Sequence, residues 1–337
     1  MLSVYGFPFL LAMLVSFILT PYIKKLAFAI GALDKPDNRK VHKKIMPRLG
    51  GLAIYIAFMV AVLASVEITK EILGVLLGGT FIVIVGILDD KYGLPAKVKL
   101  LGQIMAASIL VLFGVQIEWI NHPLGGYIYT EFFAIPITIF WVISFTNVVN
   151  LIDGLDGLAA GVSAIASITV ILVAAQMGYF HVAVLTSALA GGIIGFIRYN
   201  FNPATIFMGD TGSMFIGYML AAISVLGAFK TAATVSLIVP AIALGLPIMD
   251  TSFAILRRYT NGRPIFQPDK GHLHHRLLAM GMNQKQAVLL MYGITAMLGI
   301  AAVLWAEVDG FYAALIIAAI ITAVAIGAKK IGILNDR

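Results

Sequence analysis

Apolar and polar positions fall into long alternating blocks, not short amphipathic stripes. Apolar runs of spanning or near-spanning length cover 4–23, 48–66, 71–88, 99–115, 132–149, 156–176, 180–197, 211–229, 232–256, 285–305 and 309–328. A bilayer core takes roughly 20 apolar residues per helix, so the pattern predicts an all-α polytopic membrane protein with about eleven transmembrane helices. Gly191, Gly192, Pro240 and Pro247 lie inside these runs, where membrane helices tolerate them, and mark candidate breaks. No internal repeat or low-complexity tract stands out, and residues 1–337 read as a single membrane domain with no soluble appendage.

Composition agrees: 61% of the 337 residues are hydrophobic and 12% are charged. There is no cysteine, which excludes a disulfide framework, a thiolate zinc site and a cysteine nucleophile. Charge predicts an orientation. With the N-terminus outside, the C-terminus cytoplasmic and eleven spans between, only Lys70 and Lys230 of the 23 Lys and Arg fall outside. Lys24 and Lys25 follow the first run and no basic residue precedes it, as in an uncleaved anchor.

Five polar constellations then fall on the inner side. In NVVNLIDGLDGLAAG, residues 147–161, Asn147, Asn150, Asp153 and Asp156 recur at three-residue steps, which keeps them close on one side of a helix. Amides and carboxylates at membrane depth are costly without a task, and such an oxygen-rich patch suits a hard cation or a polar ligand. Gly154 and Gly157 suit a tight turn and a helix start that favours anions. In GILDDKYGLPAKVK, Asp89 and Asp90 end an apolar helix among Lys91, Lys97 and Lys99. The pair is either a neutralised helix end or a site for Mg²⁺ or for a proton from an attacking group. In FMGDTGS, Asp210 is an N-cap or a metal ligand.

The other two are basic. The loop 31–51 carries Lys35, Arg39, Lys40, His42, Lys43, Lys44 and Arg48 and ends in PRLGG, whose Gly50 and Gly51 would let backbone approach a ligand. It reads either as a positive-inside loop or as a phosphate-binding segment. The loop 257–277 gathers Arg257, Arg258, Arg263, Lys270, His272, His274, His275 and Arg276. Its H-x-H-H spacing is not a usual zinc pattern; imidazole beside arginine suits a pyrophosphate. Acidic metal ligands and phosphate-binding bases at one membrane face fit phosphoryl transfer between a soluble donor and a lipid acceptor.

The segments KPDNRKVHKKIMPRLGG, GILDDKYGLPAKVK, NVVNLIDGLDGLAAG, FMGDTGS and PDKGHLHHRL, in this order, resemble the polyprenyl-phosphate N-acetylhexosamine-1-phosphate transferases. The RKVH and HLHHRL segments are similar to the WecA/TagO-type branch. The resemblance implies transfer of N-acetylglucosamine 1-phosphate from UDP-N-acetylglucosamine to undecaprenyl phosphate at the bacterial cytoplasmic membrane, with the site on the cytoplasmic face. It implies Mg²⁺ with Mn²⁺ as an alternative, a teichoic-acid or O-antigen type of product, no nucleic acid, and a homodimer. It implies that Asn150 and Asp210 bind the metal, that Asp89 and Asp90 orient or deprotonate the lipid phosphate, and that Lys99 holds it. Asp153 and Asp156 would lie at the nucleotide, with Asp156 nearest the uracil. Arg263, His272, His274, His275 and Arg276 would contact diphosphate or sugar, with Arg39 and His42 shaping the same site.

Two other classes compete. A transporter would use buried ionisable residues as a relay, for which Asp250 in PIMDT is the best candidate. A structural membrane protein leaves the polar motifs unexplained.

Overall fold

The computed structural model describes residues 2–36, 44–121, 127–230, 233–260, 262, 271–307, 315, 319 and 322. Twelve α-helices occur among them: α1 Leu2–Ile30, α2 Gly51–Leu63, α3 Lys70–Tyr92, α4 Ala96–Leu112, α5 Ala134–Ile152, α6 Leu158–Gln176, α7 Phe180–Asn200, α8 Gly209–Lys230, α9 Ala233–Ala243, α10 Gly245–Thr260, α11 Leu273–Ala279 and α12 Gln284–Glu307. Two antiparallel ribbons accompany them: β1 Leu33–Asp34 with β2 Met46–Pro47, and β3 Trp119–Asn121 with β4 Tyr127–Tyr129.

Among the described residues, seven helices are long and apolar enough to cross a bilayer, and the α9–α10 pair would make an eighth. The 13-residue α2 is only about 20 Å long, short of the ~30 Å hydrocarbon core. The run 232–256 is not one straight helix: Val235–Ala243 and Gly245–Thr260 meet at 74°, with Pro240 and Pro247 flanking the bend. The run 309–328 lies almost wholly outside the described residues.

Helix α8 is the axle of the bundle. Every residue from Thr211 to Ala228 is buried, as expected for a helix apolar on all sides, and α2, α3, α5, α7 and α9 pack around it. Small residues set the packing distances. Gly191 and Gly195 continue α7 without a break and let α1 lie against it: a Cβ at either would strike the backbone of Phe9 or Met13. Gly51 lets the start of α2 lie against α8, because its Cβ would run into the backbone of Gly212. Gly86 of α3 meets Thr211 in the same way. Side chains such as Leu112, Phe132, Phe140 and Met297 stay largely exposed, forming the outer apolar surface expected toward lipid.

Candidate active site

The first turn of α8 organises the site. Thr205–Met208 lead into it, and the strand-like contact between Arg48 and Phe207 ties that lead-in to the segment before α2. Gly50 and Gly51 donate their amides to the carbonyls of Phe207 (2.9 Å) and Met208 (2.8 Å). A helix start leaves orphan N–H groups, and here a carboxylate from another helix satisfies them. Asp90 Oδ1 accepts the Asp210 amide (2.9 Å); Oδ2 accepts the amide (3.0 Å) and hydroxyl (2.6 Å) of Thr211. Gly209 takes φ +71° directly beneath that carboxylate, where a Cβ would collide with Asp90 Oδ2. Asp90 therefore caps α8, and Asp210 is left to point elsewhere.

Two cations sit between the acids. Lys99 Nζ donates to Asp210 Oδ2 (2.7 Å) and Asp89 Oδ2 (3.3 Å). Arg48 donates through Nε to Asp90 Oδ1 (3.0 Å) and through Nη2 to Asp210 Oδ1 (3.2 Å), and its Nη1 lies 4.0 Å from Asp34. Burial disfavours the guanidinium charge, but Asp90, then Asp210, Asp34 and Asp89, more than offset this and raise its pKa above the ordinary value. Asp89 also accepts the Leu94 amide at 2.7 Å, just past the Gly93 turn that ends α3.

The end of α5 supplies amides and carboxylates. Asn147 and Gln103 exchange side-chain hydrogen bonds (2.7 and 3.3 Å), fixing α4 against α5 one turn below the acids. Asn150 donates to Ser213 at 2.9 Å. Asp153 is partly buried, and burial first, then the charges of Asp210 and Asp90, push its pKa up to about 7. Asp156 is used differently: its Oδ2 accepts Asn202 Nδ2 and the Ala204 amide, both at 3.0 Å, anchoring the loop that leads to α8.

The histidine motif approaches the same turn. Asp250 of α10 binds His272 Nδ1 (2.9 Å) and the Leu273 amide (2.8 Å). His274 stacks on His272 with centroids 5.9 Å apart and planes at 9°. A Cβ on Gly154 would come within 2.5 Å of His274 Nε2, so this glycine gives the ring its place. Burial, helped by His275, drives the His274 pKa down to about 3, so the ring is neutral. His272 and His274 are buried; His275 and Arg276 are partly exposed.

The glycosyl transferase family 4 profile matches residues 72–228, the stretch that holds Asp89, Asp90, Lys99, the 147–156 turn and Asp210. A relative from Bacillus subtilis (strain 168), named probable undecaprenyl-phosphate N-acetylglucosaminyl 1-phosphate transferase, is 43% identical over 98% of this chain and 92% of its own. The chain belongs to this family. A further relative, the decaprenyl-phosphate N-acetylglucosaminephosphotransferase of Mycolicibacterium smegmatis, is 36% identical over 84% of this chain and 77% of its own length. The phospho-N-acetylmuramoyl-pentapeptide-transferase of Thermoanaerobacter sp. (strain X514) is 31% identical over 85% of this chain and 95% of its own.

A family 4 transferase of this kind raises the question of a divalent ion. Among the described residues, Asp89, Asp90 and Asp210 gather around Arg48 and Lys99, so the cluster is rich in acidic oxygens. All the candidate donors are hard oxygens. Among the described residues no three His, Asp or Glu side chains close around one point. This still fits magnesium, which usually takes one or two protein carboxylates and completes its shell with water and substrate phosphate.

Of the residues expected from sequence, the structure brings together Asp89, Asp90, Lys99 and Asp210, and sets His274 against the Asp153–Gly154 turn. Arg39, His42 and Arg263 lie outside the described residues. The structure gives specific partners to two residues that the sequence reading did not single out for the transfer site. Arg48 reads as one base among many in a basic loop, and Asp250 reads as a transport relay. The structure engages Asp250 with the histidine motif.

Proposed function

We propose that this chain transfers N-acetylglucosamine 1-phosphate from UDP-N-acetylglucosamine to undecaprenyl phosphate, releasing UMP. The observation that carries the reading is the single cluster of Asp89, Lys99, Asp210 and Arg48 at one end of an apolar bundle. The 43% identity to a relative named for this reaction supports it.

In the proposed mechanism Lys99 holds the lipid phosphate and Asp89 orients or deprotonates it. An oxygen of that phosphate attacks the donor's β-phosphorus in line. The O–Pβ bond forms as the bond from Pβ to the bridging oxygen of UMP breaks. Asp90 keeps the start of α8 and Arg48 in register, and so aims Asp210. Asp210 and Asn150 would hold Mg²⁺, which when bound neutralises charge on the diphosphate. Asp153 borders the nucleotide, and Asp156 shapes that border through the 202–204 loop. His275 and Arg276, the accessible members of their motif, meet the diphosphate or sugar. Catalysis is then mainly positioning and electrostatics.

The same reading takes eleven crossings, with α2, α4, the bent α9–α10 pair and the run 309–328 each counted as one. The N-terminus lies outside and the site is cytoplasmic; the enzyme is a homodimer acting early in surface-glycan synthesis. Because the chain has no cysteine, single-cysteine variants at Lys25 and Lys70 test sidedness without background. Lys25→Cys should label only from the cytoplasm and Lys70→Cys only from outside; the reverse would invert the topology.

The deciding assay incubates purified protein with UDP-N-acetylglucosamine, undecaprenyl phosphate and Mg²⁺ and measures UMP, with and without EDTA. Lipid- and metal-dependent UMP is expected. UMP formed only from UDP-N-acetylmuramoyl-pentapeptide would change the donor. No UMP from any donor with folded protein would remove the proposal.

A further inference from the structure

Helix α10 grips the histidine motif at two points. Asp250 and Arg257, seven residues apart, stand two turns apart on one face of α10, and both are buried. Asp250 Oδ1 accepts the Leu273 amide at 2.8 Å, while Oδ2 meets His272 Nδ1 at 2.9 Å. Arg257 donates to the Gly271 carbonyl at 3.3 Å, and its guanidinium lies where a side chain on Gly271 would stand. From His272 the contact passes by ring stacking to His274, and from His274 Nε2 to Gly154. A continuous line of contact thus joins a carboxylate on α10 to the turn that carries Asp153.

We propose that Asp250 is a positioning residue for the transfer reaction: it fixes His272 with its proton on Nδ1 and pins the start of α11, and so sets where His275 and Arg276 stand beside the Asp153 turn. The inference rests on the function proposed above. A carboxylate can only accept, so the imidazole nitrogen facing it must carry hydrogen. An asparagine in the same place keeps the size but offers one oxygen and one NH₂. If its oxygen stays on the Leu273 amide, its NH₂ faces His272 Nδ1 and drives the ring to the other tautomer. An aspartate that holds a histidine in this way acts through the ring, and its removal shows in turnover, not in the fold.

The test is a double-mutant cycle on the full-length protein in detergent, read as UMP release, with Asp250→Asn, His272→Gln and the pair. Asp250→Asn should cut kcat by about tenfold or more. Its thermal midpoint should stay within a few degrees of wild type, and Asp250→Glu, which keeps the carboxylate, should recover part of the loss. Added to His272→Gln, Asp250→Asn should cost little more, because both act through one ring. Wild-type turnover in Asp250→Asn, or losses that multiply in the pair, would overturn the inference while leaving the transfer reaction standing. Hydrogen exchange over residues 271–279 gives a readout independent of activity. Faster exchange in Asp250→Asn is expected; unchanged exchange would overturn the latch even in a protein that makes no UMP.

Discussion

Lys99 Nζ lies 2.7 Å from Asp210 Oδ2, joining the first turn of α4 to the first turn of α8 across 111 residues of sequence. The same ammonium reaches Asp89 at 3.3 Å, so one cation holds the starts of two helices and the end of a third. Removing it leaves two poorly solvated carboxylates facing each other. Lys99→Met should abolish measurable UMP release and lower stability by about 2 kcal/mol, below the roughly 3–5 kcal/mol of a fully buried pair because Lys99 retains some exposure. Both are read on one preparation, by a nucleotide assay and by thermal unfolding in detergent.

Asp90 and Asp210 should separate under the same substitution. Asp90 accepts from Arg48, both backbone amides at the start of α8 and the Thr211 hydroxyl, so Asp90→Asn turns one accepting oxygen into a donor facing donors. A stability loss of about 2–3 kcal/mol is expected. Asp210→Asn leaves that cap intact and should keep the unfolding midpoint within a few degrees while turnover falls by orders of magnitude. Equal midpoints for the two variants would refute the capping assignment.

Glycine positions offer a steric test. Gly51→Ala places a methyl against the backbone of Gly212 and Thr211, which has no rotamer to yield. A loss of about 3 kcal/mol or failure to accumulate in membranes is expected. Gly6 is helical and has nothing within 4 Å of an added Cβ, so Gly6→Ala should be neutral or stabilise by up to about 1 kcal/mol. Similar membrane yields and midpoints for the two variants would contradict the helix contact at Gly51.

Stability should depend on pH through two opposing groups. His274 is held down to about 3 by burial, so between about 6.5 and 3 the unfolded chain binds a proton that the folded one refuses, and stability falls as pH falls. Asp153 is pushed up to about 7, so between about 7 and 3.8 the folded chain binds the extra proton, and stability rises as pH falls. Each slope is at most about 1.4 kcal/mol per pH unit. Relative to wild type, His274→Gln should therefore gain stability between pH 7 and pH 5, and Asp153→Asn should lose it. Parallel pH curves for the two variants would show that these groups do not titrate as described.

Much of this protein is legible in one dimension. Run length and composition determine that the chain is a helical membrane protein, because a helix satisfies its own backbone within a single segment. The motifs DD, N-x₂-N-x₂-D-x₂-D and GDTGS mark helix ends that carry polar groups, and the structure finds helix ends at all three. These properties are local, set by neighbours within a turn or two.

Other features are decided only by packing. Pro240 and Pro247 mark a break in the apolar run 232–256, but its 74° angle is set by how α9 and α10 pack. Arg48 has the same residue type and loop setting as its neighbours, and only the pairing of its loop with residues 206–208 carries it to Asp210, 162 residues away. Asp90 and Asp210 look like equivalent carboxylates in sequence; the helix start that Asp90 caps belongs to another part of the chain. Asp250 becomes a partner of His272 because the motif packs against α10. The sequence determines which groups are costly to bury unpaired. Which of them meet depends on contacts between distant segments, and the energy of those contacts exists only once the helices have packed.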